Sequence, residues 1–236
     1  MRRLKKWLYG EIGGGETLVY KMVWEWIFLL KNLLNLPNKL GTRKKIKKYF
    51  KTHDIIRVQV GCGDNLLKGF LNTDFLGKVS INITKKLPFS NNSVHLIYSN
   101  HTVEHIYHEQ FKNFLKEAYR VLKQGGIHII STPSIEKLTK SVYYNPSLKK
   151  KIMRTHTNHN EEIDSATLIN RIVHMRYMHK FLYDFDCINR LAKKYKHSKA
   201  VLITNPDLIP DEAIRKNIKD RGFENDGITE TYMLVK

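Results

Sequence analysis

An α/β chain, built on a mostly parallel sheet flanked by helices, is predicted by three features of these 236 residues. Apolar runs of strand length, such as IIRVQV at 55–60 and SVHLIYS at 93–99, are bracketed by turn residues. HEQFKNFLKEAYRVLK at 108–123 places Phe111, Phe114, Leu115, Ala118, Val121 and Leu122 on one helical face, with Gly125 as a stop signal. The first strand runs into Gly61-Cys62-Gly63, a bare turn at the strand end where open sheets of this class hold ligands.

The elements follow in order. Val19, Val23, Trp26, Ile27, Leu30, Leu33 and Leu34 recur at helical spacing, and Pro37 closes the segment. The segment is no secretion signal: Lys21 and Glu25 break the apolar stretch and no small-residue cleavage site follows. Its apolar run from Trp26 to Leu30 also falls far short of the roughly 18 residues of a membrane span. TRKKIKKYFKT at 42–52 reads as a solvated helix leading into the first strand. FLNTDF forms a second strand ending at Asp74, and KVSINI a third ending at Asn82 and Ile83. GIHIISTP returns as a strand to Pro133, DFDCINRLAKKY at 184–195 is helical, and AVLIT at 200–204 and the terminal ETYMLV are strands. The domain reading is a basic amphipathic extension over 1–50 and a domain over 51–236. An insertion at 137–177 is expected to form a lid, its alternative being a solvated excursion, and GGG at 13–15 suggests a joint.

The chain carries 41 Lys and Arg against 22 Asp and Glu, a formal charge of +19. Residues 1–57 hold +10 of it. Such a charge points to anionic partners, whether nucleic acid, phospholipid or phosphorylated substrate. A Lys-, Asn- and Ile-rich bias can equally reflect an AT-rich coding sequence. Two cysteines, Cys62 and Cys187, are too few for a disulfide framework and fit a reducing cytoplasm.

The glycine turn restricts the cofactor. A dinucleotide fold needs GxGxxG opening a helix, with its acidic residue about 20 positions on. Here the third glycine is missing, only DNLLK separates Gly63 from Gly69, and Asp74 arrives eleven residues after Gly63. A pyrophosphate-binding helix does not fit in that space. A cofactor with an adenosyl ribose and no phosphate needs only close backbone approach and a carboxylate at the next strand end, and S-adenosyl-L-methionine is such a cofactor.

VGCGDNLLKGFLNTDF, LPFSNNSVHLIYSNHTVEHI and EAYRVLKQGGIHIISTPS, with the later HKFLYDF, resemble class I S-adenosylmethionine-dependent methyltransferases of a compact bacterial subgroup. The resemblance covers 55–136 well and 178–192 in part. It implies a Rossmann-like fold with an antiparallel last strand, and roles for particular residues. Gly61, Cys62 and Gly63 would approach the methionine part of the cofactor, and Asp74 would take the ribose hydroxyls. Asn82, where the subgroup usually has Asp, and Ile83 would border the adenine. Ser99, Asn100 and His101 would line the cofactor and transfer site. His95 stands where the wider family often has Asp, a change the sequence alone does not explain.

Methyl transfer to a hydroxyl requires alignment and removal of a proton, which a histidine can accept. His101 is the first candidate base and His105 the second, sharing a face with it if Thr102 to Ile106 turn helically. In the resemblance, the Glu104-His105 pair also commonly helps to hold the loop after the fourth strand. His156, His159, Glu161, Glu162 and Asp164 carry no recognised metal motif, and no metal is expected. His179 is expected as a substrate-facing or supporting residue.

The function expected is methylation of a small-molecule or glycan-precursor acceptor, with the resemblance pointing to a sugar hydroxyl in cell-surface polysaccharide biosynthesis. The alternatives are a nucleic-acid methyltransferase and a non-catalytic membrane-surface or partner-binding module. The first lacks an RNA-binding module and the NPPY-type chemistry of base-amino methylation. The second rests on the basic Trp-bearing N-terminal helix, which can pack on its own domain or lie on an anionic membrane. The expected location is cytoplasmic, with peripheral contact at the inner membrane face as the extension's contribution.

Overall fold

The computed structural model describes residues 18–156, 163–175, 179–221 and 226–236. GGG at 13–15 and, within the 137–177 insertion, residues 157–162, with His159, Glu161 and Glu162, and 176–177 lie outside the described residues.

Six strands form one sheet: β1 (Arg57–Val60), β2 (Leu71–Thr73), β3 (Val94–Asn100), β4 (Leu122–Pro133), β5 (Lys199–Ile203) and β6 (Thr229–Val235), in the order β2-β1-β3-β4-β6-β5. The β1/β2, β1/β3 and β3/β4 pairs are parallel, and β6 is antiparallel to both β4 and β5. The expected α/β architecture, including its antiparallel last strand, is therefore present. Burial explains the strand composition: Val58, Val60, Ile97, Tyr98, Ile129 and Ile130 are all essentially inaccessible, as the central strands of a two-sided sheet require. Helix α3 (His108–Val121) buries Phe111, Phe114, Leu115, Ala118 and Val121 of the face read from its periodicity, the sixth residue, Leu122, opening β4; α7 (Phe185–Lys194) is capped by Asp184, whose carboxylate accepts from Cys187 N at 2.8 Å.

Three expectations change. KVSINI is not a strand of the sheet but a single parallel bridge, Asp74 to Ser80. Its period-two burial is real, with Val79, Ile81 and Ile83 all facing the core. Ser80 N, however, bonds Thr42 Oγ1 of a helix at 2.8 Å, and Asn82 closes a turn on Thr84, so no ladder propagates. Pro37 does not close the N-terminal segment. It lies in the first turn of α2 (Leu36–Thr52), after α1 (Leu18–Leu34) has ended, where a missing N–H costs nothing. Gly125 does not stop α3 either, because the chain passes directly into β4 at Leu122.

The two N-terminal helices differ in attachment. In α2, Ile46 enters the main core, Phe50 stacks on Phe89, and Tyr49 Oη donates to Gly69 O at 2.8 Å. In α1, Phe28 stacks 5.5 Å from Phe75, and Asn32 accepts from Lys39 of α2. Residues after β4 form α4 (Ile135–Tyr144), α5 (Pro146–His156), α6 (Ser165–Asn170) and a π turn (Arg171–Met175). Leu138, Val142, Ile152, Leu168 and Ile172 form an apolar cluster with Leu182 and Ile228, so the described part of the insertion is packed helix rather than a solvated excursion.

Candidate active site

The glycine turn and Asp74 meet at the carboxyl ends of β1 and β2. Cys62 N donates to Thr73 O at 3.0 Å, and Gly63 N donates to Asp74 Oδ2 at 3.1 Å. Leu76 N donates to Asp74 Oδ1 at 3.0 Å. A carboxylate offers about four acceptor sites, so two remain for a diol. Residues 64–70 form turns and no helix, as the short spacer requires. A polar network holds them: Gln59 Nε2 donates to Asn65 O at 3.0 Å, Asn217 Nδ2 to Asn65 Oδ1 at 3.1 Å, and Tyr98 Oη to Asn217 Oδ1 at 3.2 Å.

The two glycines are glycines for different reasons. Both adopt positive φ, 62° at Gly61 and 51° at Gly63. A Cβ on Gly61 would stand 2.2 Å from Thr102 Oγ1, whereas one on Gly63 would meet nothing within 4 Å. Gly61 thus makes room for Thr102, and Gly63 borders open space. Cys62 is buried, and burial, reinforced by the nearby Asp74 charge, pushes its thiol up to about 11, so it is an inert packing residue.

At the next strand end, Ser99 is buried with its Oγ 3.4 Å from His128 Nε2, and Asn100 is buried with Oδ1 lacking a hydrogen-bond partner. An orphaned buried amide oxygen facing the ligand-bearing edge of a sheet is a place for a ligand donor. Asn82 turns inward on itself, its Oδ1 accepting from Thr84 N at 2.9 Å and Thr84 Oγ1 at 2.8 Å, and Ile83 packs in the core.

His101 sits at φ 45°, outside any helix, its N–H bonded to Ser131 O at 2.8 Å. A single 3₁₀ turn, Val103–His105, follows. His101 and His105 therefore share no helical face; they converge on Glu104 instead. His101 Nδ1 lies 3.2 Å from Glu104 Oε1 and its Nε2 lies 3.2 Å from Thr229 Oγ1. Thr229 Oγ1 also donates to Asp226 Oδ2 at 2.5 Å. Thr229 Oγ1 gives its single proton to Asp226, so His101 Nε2 can only donate at this contact, and it can take a proton from an acceptor only after leaving Thr229 and giving up that hydrogen. Glu104 is fully buried, and Thr132 Oγ1 donates to its Oε2 at 2.9 Å. Burial alone would push its carboxyl up; the contact with His101 and the charges of His101 and His105 outweigh this and hold it below the usual range.

Glu104 also fastens the loop, its carbonyl accepting from Lys180 N at 2.7 Å. Thr132, Asp226 and Thr229 carry no motif and lie far from His101 in the chain, so they stand out only once β4 and β6 are paired. His95 gains an account: at the opposite end of β3, its Nδ1 accepts from Ile56 N at 2.9 Å, and burial together with Lys123 keeps the ring below its ordinary pKa. A hollow of about 240 Å³, lined by Lys137, Ile203, Thr204, Thr229 and Glu230 among others, adjoins the site through Thr229.

Residues 68–130 match the family model of a methyltransferase domain, a stretch that begins after the Gly61–Gly63 turn and runs through β2, β3 and α3 into β4. No curated protein matches the chain. Among solved structures, phosphoethanolamine N-methyltransferase 2 of Haemonchus contortus, in complex with phosphomonomethylethanolamine and S-adenosylhomocysteine, is 11% identical, with 80% of this chain and 50% of that one covered and a TM-score of 0.41. Geranyl diphosphate C-methyltransferase of Streptomyces coelicolor is 13% identical, covering 77% of this chain and 71% of that one at TM-score 0.42. The methyltransferase domain of the citrinin polyketide synthase is 11% identical, covering 78% and 47% at 0.44. The chain thus spans about half the length of the first of these.

Proposed function

We propose that this chain is an S-adenosyl-L-methionine-dependent methyltransferase acting on a small-molecule or glycan-precursor hydroxyl, with a sugar of a cell-surface polysaccharide as its acceptor. The observation that carries the reading is the short Gly63 to Asp74 closure: a carboxylate with free acceptor sites, bonded to the backbone of a glycine that borders open space. When bound, the cofactor supplies an electrophilic methyl group on a sulfonium. Asp74 would hold its ribose hydroxyls, the Gly61 to Gly63 backbone its methionine part, and Asn100 Oδ1 would accept from a donor of the ligand. Asn82 and Ile83 support the adenine side from behind, through the turn and the core packing already described.

On the acceptor side, His101 is positioned by Glu104 and by Thr229, and exchange of the Thr229 contact for an acceptor hydroxyl places Nε2 to take the proton. Lys137 of α4, donating to Thr229 O at 2.6 Å, ties the helical insertion to the same strand end and to the hollow beside it. In separate reactions with methyl-labelled S-adenosylmethionine, sugar nucleotides or oligosaccharides should become labelled and RNA should not. Salt-sensitive labelling of RNA alone would favour the nucleic-acid reading instead.

The partner surface follows from α1 and α2. Met22, Trp26, Leu29, Leu30, Leu33, Leu36 and Leu40 form a helical stripe that faces solvent, Trp26 and Leu33 each 70% exposed. Residues 18–52 carry nine Lys and Arg against the single Glu25. An exposed apolar stripe on so basic a segment fits the headgroup layer of an anionic membrane. No described helix is long and apolar enough to cross a membrane, so the contact is peripheral in form. Full-length protein should float with phosphatidylserine vesicles, and Trp26→Glu with Leu33→Glu should abolish flotation; equal flotation of the variant would remove the stripe as anchor.

A further inference from the structure

Besides His101, two more imidazoles, those of His105 and His179, come close to Glu104. Glu104, His105 and His179 each offer one ligand atom, and the three atoms all lie within 4.8 Å of one another. The rings of His105 and His179 are 5.1 Å apart between centroids and tilted by 60°. Glu104 and His179 are buried while His105 is exposed, so the group opens to solvent on one side. We infer that Glu104, His105 and His179 form a binding site for a first-row divalent transition cation of the Zn²⁺ or Co²⁺ type.

Three arguments support the site. Two imidazole nitrogens and one carboxylate oxygen are a donor set suited to these cations, and three protein ligands leave coordination positions for water or an acceptor oxygen. Glu104 is also held as a ligating carboxylate is held: Thr132 Oγ1 donates to Oε2 at 2.9 Å, an outer contact that fixes the orientation of the group. Finally, backbone sets the spacing of the ligands. Glu104 and His105 belong to the 3₁₀ turn, and Lys180 N and Phe181 N, next to His179, bond Glu104 O at 2.7 and 3.4 Å. The two ligand-bearing segments are therefore stitched together at the site itself.

This assignment makes His105 a ligand rather than a base, and it departs from the expectation that the chain holds no metal. It stands whether or not the chain transfers methyl groups. Full-length protein freed of metal with a chelator and titrated with Zn²⁺ should bind one saturable equivalent, and Co²⁺ should bind with a visible ligand-field spectrum. His105→Ala and His179→Ala should each weaken Zn²⁺ binding by about tenfold or more, while His156→Ala with His159→Ala should bind as the wild type does. His105 is exposed, so His105→Ala should keep its circular-dichroism spectrum and melting temperature. No saturable binding by the wild type, or a folded His105→Ala that binds Zn²⁺ equally tightly, overturns the site. Since the readout is metal binding alone, its failure leaves the methyltransferase reading intact.

Discussion

The carboxyl ends of β1 and β2 and the carboxyl end of β3 are built by different means. The first is local: Gly63 and Asp74 lie eleven residues apart, and backbone N–H groups of the turns on either side of β2 hold the carboxylate. The second is assembled from afar: Thr132 on β4, Thr229 on β6 and the chain at Lys180 fix Glu104 and His101. A cofactor common to many acceptors needs only the local device. The β3 end, which the proposed function gives to the acceptor, depends instead on the pairing of β4 with β6 and on the chain at Lys180.

The sharpest way to break this contrast is at the boundary between the two ends, where Thr102 presses on Gly61. Gly61→Ala should cost about 3 kcal/mol, combining about 1–2 kcal/mol for a side chain at positive φ with about 1–3 kcal/mol of overpacking. Thr102→Ala should recover the packing part, and a double-mutant cycle from urea unfolding would measure a coupling on the order of 1 kcal/mol. Gly63→Ala should cost about 1 kcal/mol, since only its φ is strained. Equal losses at the two glycines would refute the distinction.

The pH dependence of stability tests the buried histidines, among them His128 behind Ser99. Burial lowers the His128 imidazole to about 3 and that of His197 to about 4, against an ordinary 6.5. The unfolded chain takes up these protons below about pH 6.5 and the native chain does not. Stability is therefore fully present above about pH 6.5 and falls as pH drops toward 4, by up to about 1.4 kcal/mol per pH unit for each histidine. Urea melts at a series of pH values should show this slope, and His128→Leu should flatten it.

The local end was legible in the sequence because its determinants are local. GCG, the five-residue spacer and Asp74 can be counted on one line, and the strands declared themselves through unbroken apolar runs such as VHLIYS. KVSINI misled because its alternation reports burial, whereas a strand also needs a free ladder, and Thr42 takes the N–H of Ser80. The distal end was half legible: His101, Glu104 and His105 stood out as residue types, but a helical spacing was assumed where a 3₁₀ turn directs them around one carboxylate. Thr132 and Thr229 could be found only once β4 and β6 were paired.

Asp74→Ala should have the smallest effect on stability, about 1 kcal/mol for two bonds at a partly exposed carboxylate, and the largest effect on function. Calorimetric titration of S-adenosylhomocysteine into wild type and Asp74→Ala is the most direct test of the central claim. The account predicts one site in the wild type and a loss of at least about a hundredfold in affinity in the folded variant, near 2.7 kcal/mol. Equal binding by the two proteins, or no binding by folded wild type, would contradict it.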